Sequence, residues 1–169
     1  MWLRGPVTGV PPLLQPVAHA LLQCREEVLA TIADLPPGLI WARPGGVASA
    51  GYHVRHAGGS LDRLFTYARG ESLTHAQMLE LRAEDQPDLS ADAASRLMAG
   101  FDVRIEAALA QLRATPDASL LDARGVGRAK LPSTVLGLLF HAAEHTQRHA
   151  GQLVTTVKVV RAGLMERGS

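Results

Sequence analysis

From Leu14 onward, apolar residues recur at Leu14, Val17, Leu21, Cys24, Val28, Ile32 and Leu35, in alternating steps of three and four. That spacing lines them along one side of a helix, which Pro36-Pro37-Gly38 ends. After the connector at Pro44-Gly45-Gly46, a second stripe of Val47, Val54, Leu61, Leu64, Phe65 and Ala68 predicts a helix running to about Gly70, a glycine suited to a C-terminal stop. Thr74 followed by Gln77 reads as a capping box for a short helix through about Glu84, before Pro87. Ser90 is placed to cap a third long helix with the stripe Ala94, Leu97, Phe101, Ile105, Ala108 and Leu112, closed by Thr115-Pro116. Residues 117–130 read as loop, broken by Gly125 and Gly127, and Pro132-Ser133 opens a last helix that continues to about Val160, before Gly163 and a polar tail.

Four long helices joined by long connectors predict an all-α fold: a four-helix bundle with long crossover connections. With 169 residues and 47% apolar content, one domain over 1–169 accommodates the whole chain. The net charge of +1 comes from 17 basic and 16 acidic residues scattered along the sequence, which excludes the basic footprint of a nucleic-acid binder. No stretch reaches the roughly 20 apolar residues of a membrane span, and MWLRGPVTGVPP lacks the apolar run of a secretion signal. Cys24 is the single cysteine, so no internal disulfide forms, and the expectation is a soluble cytoplasmic protein. Its partner is expected to be a small-molecule substrate.

Candidate chemistry lies in the histidines. His141, His145 and His149 follow one another at steps of four in LLFHAAEHTQRHAGQL. At about 100° per residue, His145 and His149 fall within about 20° of Leu138 and share a side with Ala142, Leu153 and Val160, so both imidazoles point inward. A buried polar group without a partner costs on the order of 1–3 kcal/mol, and a shared divalent ion satisfies two at once. Imidazole suits such an ion, but the pair fills only half a tetrahedron. The competing reading has these rings capping a carbonyl or lying at a wet helix edge. The stretch His145-Thr146-Gln147-Arg148-His149 also lacks the glutamate that peptide-cleaving HExxH helices carry. A third ligand has to come from the second helix, where GYHVRHAGGSLDRL offers His53, about 80° from the Leu61 stripe, and His56, about 140° from it. Periodicity leans toward His53 and leaves both open.

Two stretches, Arg55-His56-Ala57-Gly58-Gly59-Ser60-Leu61-Asp62-Arg63 and Glu144-His145-Thr146-Gln147-Arg148-His149-Ala150-Gly151-Gln152-Leu153, resemble the DinB/YfiT-like superfamily over nearly the whole chain. The second, with its H-x-x-x-H-x-G-Q pattern, is the more specific. The resemblance implies His56, His145 and His149 as metal ligands, with nickel or zinc between the second and last helices of a homodimeric bundle. Relatives include thiol-dependent transferases and a maleylpyruvate isomerase, which implies chemistry with a low-molecular-weight thiol or on a small electrophile. Ala57-Gly58-Gly59 departs from the apolar residue many relatives carry after this ligand, and a close helix contact would account for it.

Three ligands leave an ion with open positions, as catalytic sites require. Gln152 lies close to the ligand direction, Glu144 and Arg148 lie on the adjoining strip, and His141 stands about 60° off as an outer partner or a boundary residue. Cys24 reads as core, and Trp41, Tyr52 and Tyr67 as ordinary edge aromatics that are available to line a pocket. His19 and His75 are expected to be exposed and unpartnered. Apolar surface for a dimer is expected from Leu136, Leu139, Ala143, Ala150, Val154 and Val157, part of which must pack inside the bundle. Three classes remain open: a metal-dependent enzyme of transferase, isomerase or hydrolase-like type, a non-catalytic or stress-associated metal-binding homodimer, and a plain dimerisation module.

Overall fold

A computed structural model describes residues 5–165, with side chains through residue 163. The helix starts follow local chemistry. A 3-10 turn at Pro12–Leu14 leads into α1 (Gln15–Ala33), which buries Val17, Leu21, Cys24, Val28 and Ile32 as the stripe requires. A single turn, α2 (Pro37–Ile40), follows. Then α3 (Ala50–Ala68) begins behind Ser49, whose hydroxyl accepts the Tyr52 N–H at 3.2 Å. Val47 stands outside this helix, extended and exposed.

The expected short helix is α4 (His75–Ala83), with both halves of the Thr74/Gln77 capping box formed. In α5 (Ala93–Ala114), by contrast, Ser90 is no cap. Its hydroxyl donates to Asp88 at 2.7 Å, and the helix starts after Asp92. Short turn-forming bonds nearer in sequence win this contest over the helix N–H groups.

Residues 117–130 are more ordered than a loop. A 3-10 turn at Asp117–Ser119 precedes an antiparallel hairpin of β1 (Ala123–Val126) and β2 (Leu131–Thr134), registered with Ala123 opposite Thr134 and Val126 opposite Leu131. Gly127 turns it at φ +66°. Pro132 and Ser133 therefore lie in a strand, where the free edge of a two-stranded sheet tolerates proline. The last helix, α6 (Val135–Met165), starts later and extends further than its sequence pattern suggests. The polar tail beyond it lies outside the described residues. Arg124 ties the hairpin to the end of α3 by donating to the Ala68 carbonyl at 2.9 Å.

The four long helices form a ring in which α1 packs on α6, α6 on α3, α3 on α5 and α5 back on α1. Helices consecutive in sequence, α1 and α3 or α5 and α6, are thus diagonal, as long crossovers allow. The core joins Leu14, Leu21, Leu61, Phe101, Ile105, Leu109, Leu139 and Leu153. Of the apolar residues on α6 beyond the histidine face, Leu139, Ala143, Ala150 and Val157 are the part that packs within this core. Among the described residues no helix is long and apolar enough to cross a membrane.

Trp41 closes one end of α3. Its indole N–H donates to the Asp88 carbonyl at 2.8 Å, and the Arg55 guanidinium lies 4.5 Å from its ring centre. Gly51 faces this ring, and a Cβ there would fall 2.7 Å from Trp41 Cζ2. Helix propensity alone would make Gly51→Ala stabilising by about 1 kcal/mol. The overlap with a pinned indole reverses that sign, and urea denaturation of the variant should show a net loss of about 1–3 kcal/mol.

Candidate metal centre

The seam between α3 and α6 carries the histidines. His145 and His149 stand one turn apart on α6, in line with Leu138, Ala142, Leu153 and Val160, all buried. His56 projects from α3 across the seam. One ligand atom from each of His56, His145 and His149 lies within 4.8 Å of the others. His56 Nε2 and His145 Nε2 are 3.0 Å apart. Ligand nitrogens on a tetrahedral ion with bonds of about 2.0–2.1 Å stand about 3.3 Å apart, so the cluster fits such an ion after only a small separation.

His53, toward which periodicity leaned, is buried in the same seam but is not one of the converging three. Its Nδ1 meets His149 Nδ1 at 3.2 Å. One of these two atoms must carry the proton. The tautomers of His53 and His149 are therefore linked.

Glu84, at the end of α4, reaches His56 from the α4 side, and no local pattern marks its position. Its Oε2 accepts from His56 Nδ1 at 2.7 Å, and its Oε1 accepts from Arg63 Nη1 at 2.8 Å. Burial pushes this carboxyl up, but the hydrogen bonds from His56 and Arg63 outweigh that and hold it below the ordinary glutamate value. Space for the pair comes from Gly59, where a Cβ would lie 2.7 Å from Glu84 Oε1 and 2.8 Å from Arg63 Nη1. At Gly58 a Cβ would instead press on Arg104 and Phe101 of α5. The double glycine in α3 is the one feature of the chain that could have pointed to a close approach there.

Tyr52 lies flat on His56, with ring centres 5.3 Å apart and planes 11° from parallel, and meets His53 and His149 edge-on. Burial, followed by the charges of Glu84 and Asp85, pushes its phenol up and keeps it protonated. It forms a wall of the site.

The remaining candidates lie outside the cluster. The His141 side chain is 54% exposed and faces Glu144 at 3.3 Å, and Glu144 also pairs with Arg148 on the outer face of α6. Gln152 is exposed and has no hydrogen bond to the ligands. Cys24 is buried, with its thiol pushed up to about 12, chiefly by burial, so it remains a neutral core residue. Tyr67 packs against the core. His75 is exposed, whereas His19, expected to be unpartnered, donates to the Gly5 carbonyl at 2.9 Å. A cleft of about 390 Å³ between α3, the end of α4 and α5 is lined by Arg55, Arg96, Arg104 and Phe101 and backs onto Glu84 and Gly59. None of the three converging histidines lines it, so it is not where a small molecule would meet an ion.

Compared with known proteins, the chain matches the DinB superfamily over residues 3–153. No curated protein matches it.

Burial first, then the neighbouring imidazoles, lowers His149 from 6.5 to about 4, and burial likewise holds His53 and His145 down. These rings are therefore neutral and competent to ligate at pH 7. Below about pH 6.5 the unfolded chain takes up protons that the fold refuses, so stability falls as pH falls. Metal-free protein should lose unfolding free energy between pH 6.5 and about 4, and His149→Gln should flatten that slope in urea titrations run across the range.

Proposed function

This chain belongs to the DinB superfamily, and we propose that it binds a divalent ion, nickel or zinc, on His56, His145 and His149 and acts as a metal-dependent enzyme on small molecules. The observation that carries this reading is the convergence of three imidazoles from two helices within 4.8 Å. With three protein ligands, positions on the ion stay open, as in catalytic rather than structural sites. When bound, the ion supplies a Lewis acid that polarises a small electrophile and favours the ionised form of a thiol or water at neutral pH.

The chain's own residues would do the rest. Glu84 and His53 orient two of the ligands, Tyr52 shields one side of His56, and the partly exposed edges of His56 and His145 face the approach of a substrate. A low-molecular-weight thiol and a transferase or isomerase reaction fit this opening. A net charge of +1 without a basic stripe fits small molecules better than nucleic acid. The protein is proposed to be a homodimer, supported by Phe140, which is 61% exposed beside the groove of Pro12, Val17, Ala20 and Ala143 between α1 and α6. The alternative is a non-catalytic metal-binding protein.

Elemental analysis after loading with nickel or zinc should give about one ion per chain, and His149→Ala should weaken binding by more than about 100-fold. Metal far below one equivalent in the parent protein would sink the proposal. His53→Ala and His56→Ala, compared side by side, should differ, with the His56 variant losing affinity more steeply. Loaded protein offered glutathione, bacillithiol or mycothiol with a panel of electrophiles should turn one of them over. A loaded protein inert across the panel would leave the non-catalytic alternative. Light scattering should report a dimer, and a monomer at all working concentrations would remove that part.

A further inference from the structure

The histidines account for the ligand nitrogens, but not for the buried ion pair that stands behind one of them. Glu84 is 6% exposed, and both of its oxygens are occupied, Oε2 by His56 Nδ1 and Oε1 by Arg63 Nη1. A carboxylate paired with arginine only accepts, so His56 Nδ1 carries a proton toward Glu84, and Nε2 is the nitrogen turned to His145. The same occupancy keeps Glu84 from becoming a ligand. Turning it toward an ion would leave the Arg63 guanidinium buried without its counter-charge.

The backbone around Glu84 is fixed as firmly as its side chain. Arg55 donates to the carbonyls of Ala83 and Gln86, on either side of Glu84. At the other end of α4, the Gln77 amide donates to Asp62 Oδ2 at 2.7 Å and to Thr66 Oγ1 at 2.8 Å, both on α3. The connection between α3 and α5 is thus bound back along α3 and delivers one carboxylate to one imidazole.

We propose that Glu84, clamped by Arg63, is the positioning residue of the metal centre: it sets the tautomer and ring orientation of His56, so that Nε2 is presented to the ion. The proposal rests on the metal-binding reading given above. Partners of this kind on ligand histidines typically change metal affinity by about 10–100-fold when removed.

Glu84→Gln is the direct test, because an amide cannot accept from both His56 and Arg63 while keeping its NH2 group away from each. The expected result is a 10–100-fold loss of nickel or zinc affinity in a chelator competition. Long-range proton–nitrogen NMR of the metal-free protein should also change, with His56 as the Nδ1–H tautomer in the parent and a mixture in the variant. To separate positioning from loss of a buried ion pair, Arg63→Met combined with Glu84→Gln removes the uncompensated charge. Recovery of thermal stability without recovery of affinity supports positioning. Recovery of both, or an unchanged tautomer and affinity in Glu84→Gln, overturns it. If the parent protein takes up no metal, the metal-binding reading fails by itself, and the tautomer comparison alone decides whether Glu84 governs His56.

Discussion

Four imidazoles share the seam between α3 and α6, and burial holds three of them, His53, His145 and His149, below the ordinary histidine value. His56 and His145 meet through Nε2 at 3.0 Å, and His53 and His149 through Nδ1 at 3.2 Å. Each contact pairs two nitrogens that cannot both carry a proton without crowding, nor both lack one without facing lone pair to lone pair. Neutral rings satisfy this by sharing protons. A divalent ion would satisfy the first contact differently, accepting lone pairs from both sides. The packing of α3 on α6 has to meet this condition, and small buried residues beside the rings, Ala57 on α3 with Ala142 and Ala150 on α6, let the helices approach closely enough.

The order of helices around the ring follows from the same demand. If consecutive helices packed side by side, α5 and α6 would be neighbours and α3 would lie across the core from α6. Long crossovers instead make α3 and α6 neighbours and place α1 and α3 on a diagonal. The crossover between α3 and α5 folds back along α3 as α4, held at its start by Gln77 and at its end by Arg55. Although α4 itself buries no residue, the position just after it, Glu84, is among the more deeply buried polar groups of the chain.

Much of this was legible because helical burial repeats every three to four residues. The stripes of α1, α3 and α5 are buried where the sequence puts them except at Val47, which is exposed, and at Leu64 and Ala94, which are partly buried, and the alignment of His145 and His149 with Leu138 and Leu153 survives in the structure. The choice between His53 and His56 was harder for a physical reason. Angles measured from Leu61 refer to the centre of the core, whereas the site lies to one side of it, along the α6 seam. His53 is indeed the more buried of the two, but as a neighbour of His149 rather than as a member of the converging set. The family resemblance pointed to His56, the ring that converges with His145 and His149. The hairpin escaped because four-residue strands give almost no alternation, and its glycines read equally well as loop. Glu84 escaped because its partners lie 28 and 21 residues away and no local pattern connects them.

The Glu84–Arg63 pair is poor value as a source of stability alone. Each ion loses several kcal/mol of hydration on burial, and apolar residues of similar volume often serve a fold as well or better by about 1–4 kcal/mol. Many arginines of this chain pair with carboxylates at the surface, as Arg104 does with Glu80, where little hydration is lost. Beside this pair, α3 also gives up a side chain at Gly59 to make room, with the conformational cost that glycine carries in a helix. What the arrangement does deliver is a carboxylate that cannot rotate, 2.7 Å from one nitrogen of His56, with the other nitrogen turned to the cluster. A device that is expensive as glue and exact as a support makes physical sense where orientation of one ring matters more than the stability of the bundle.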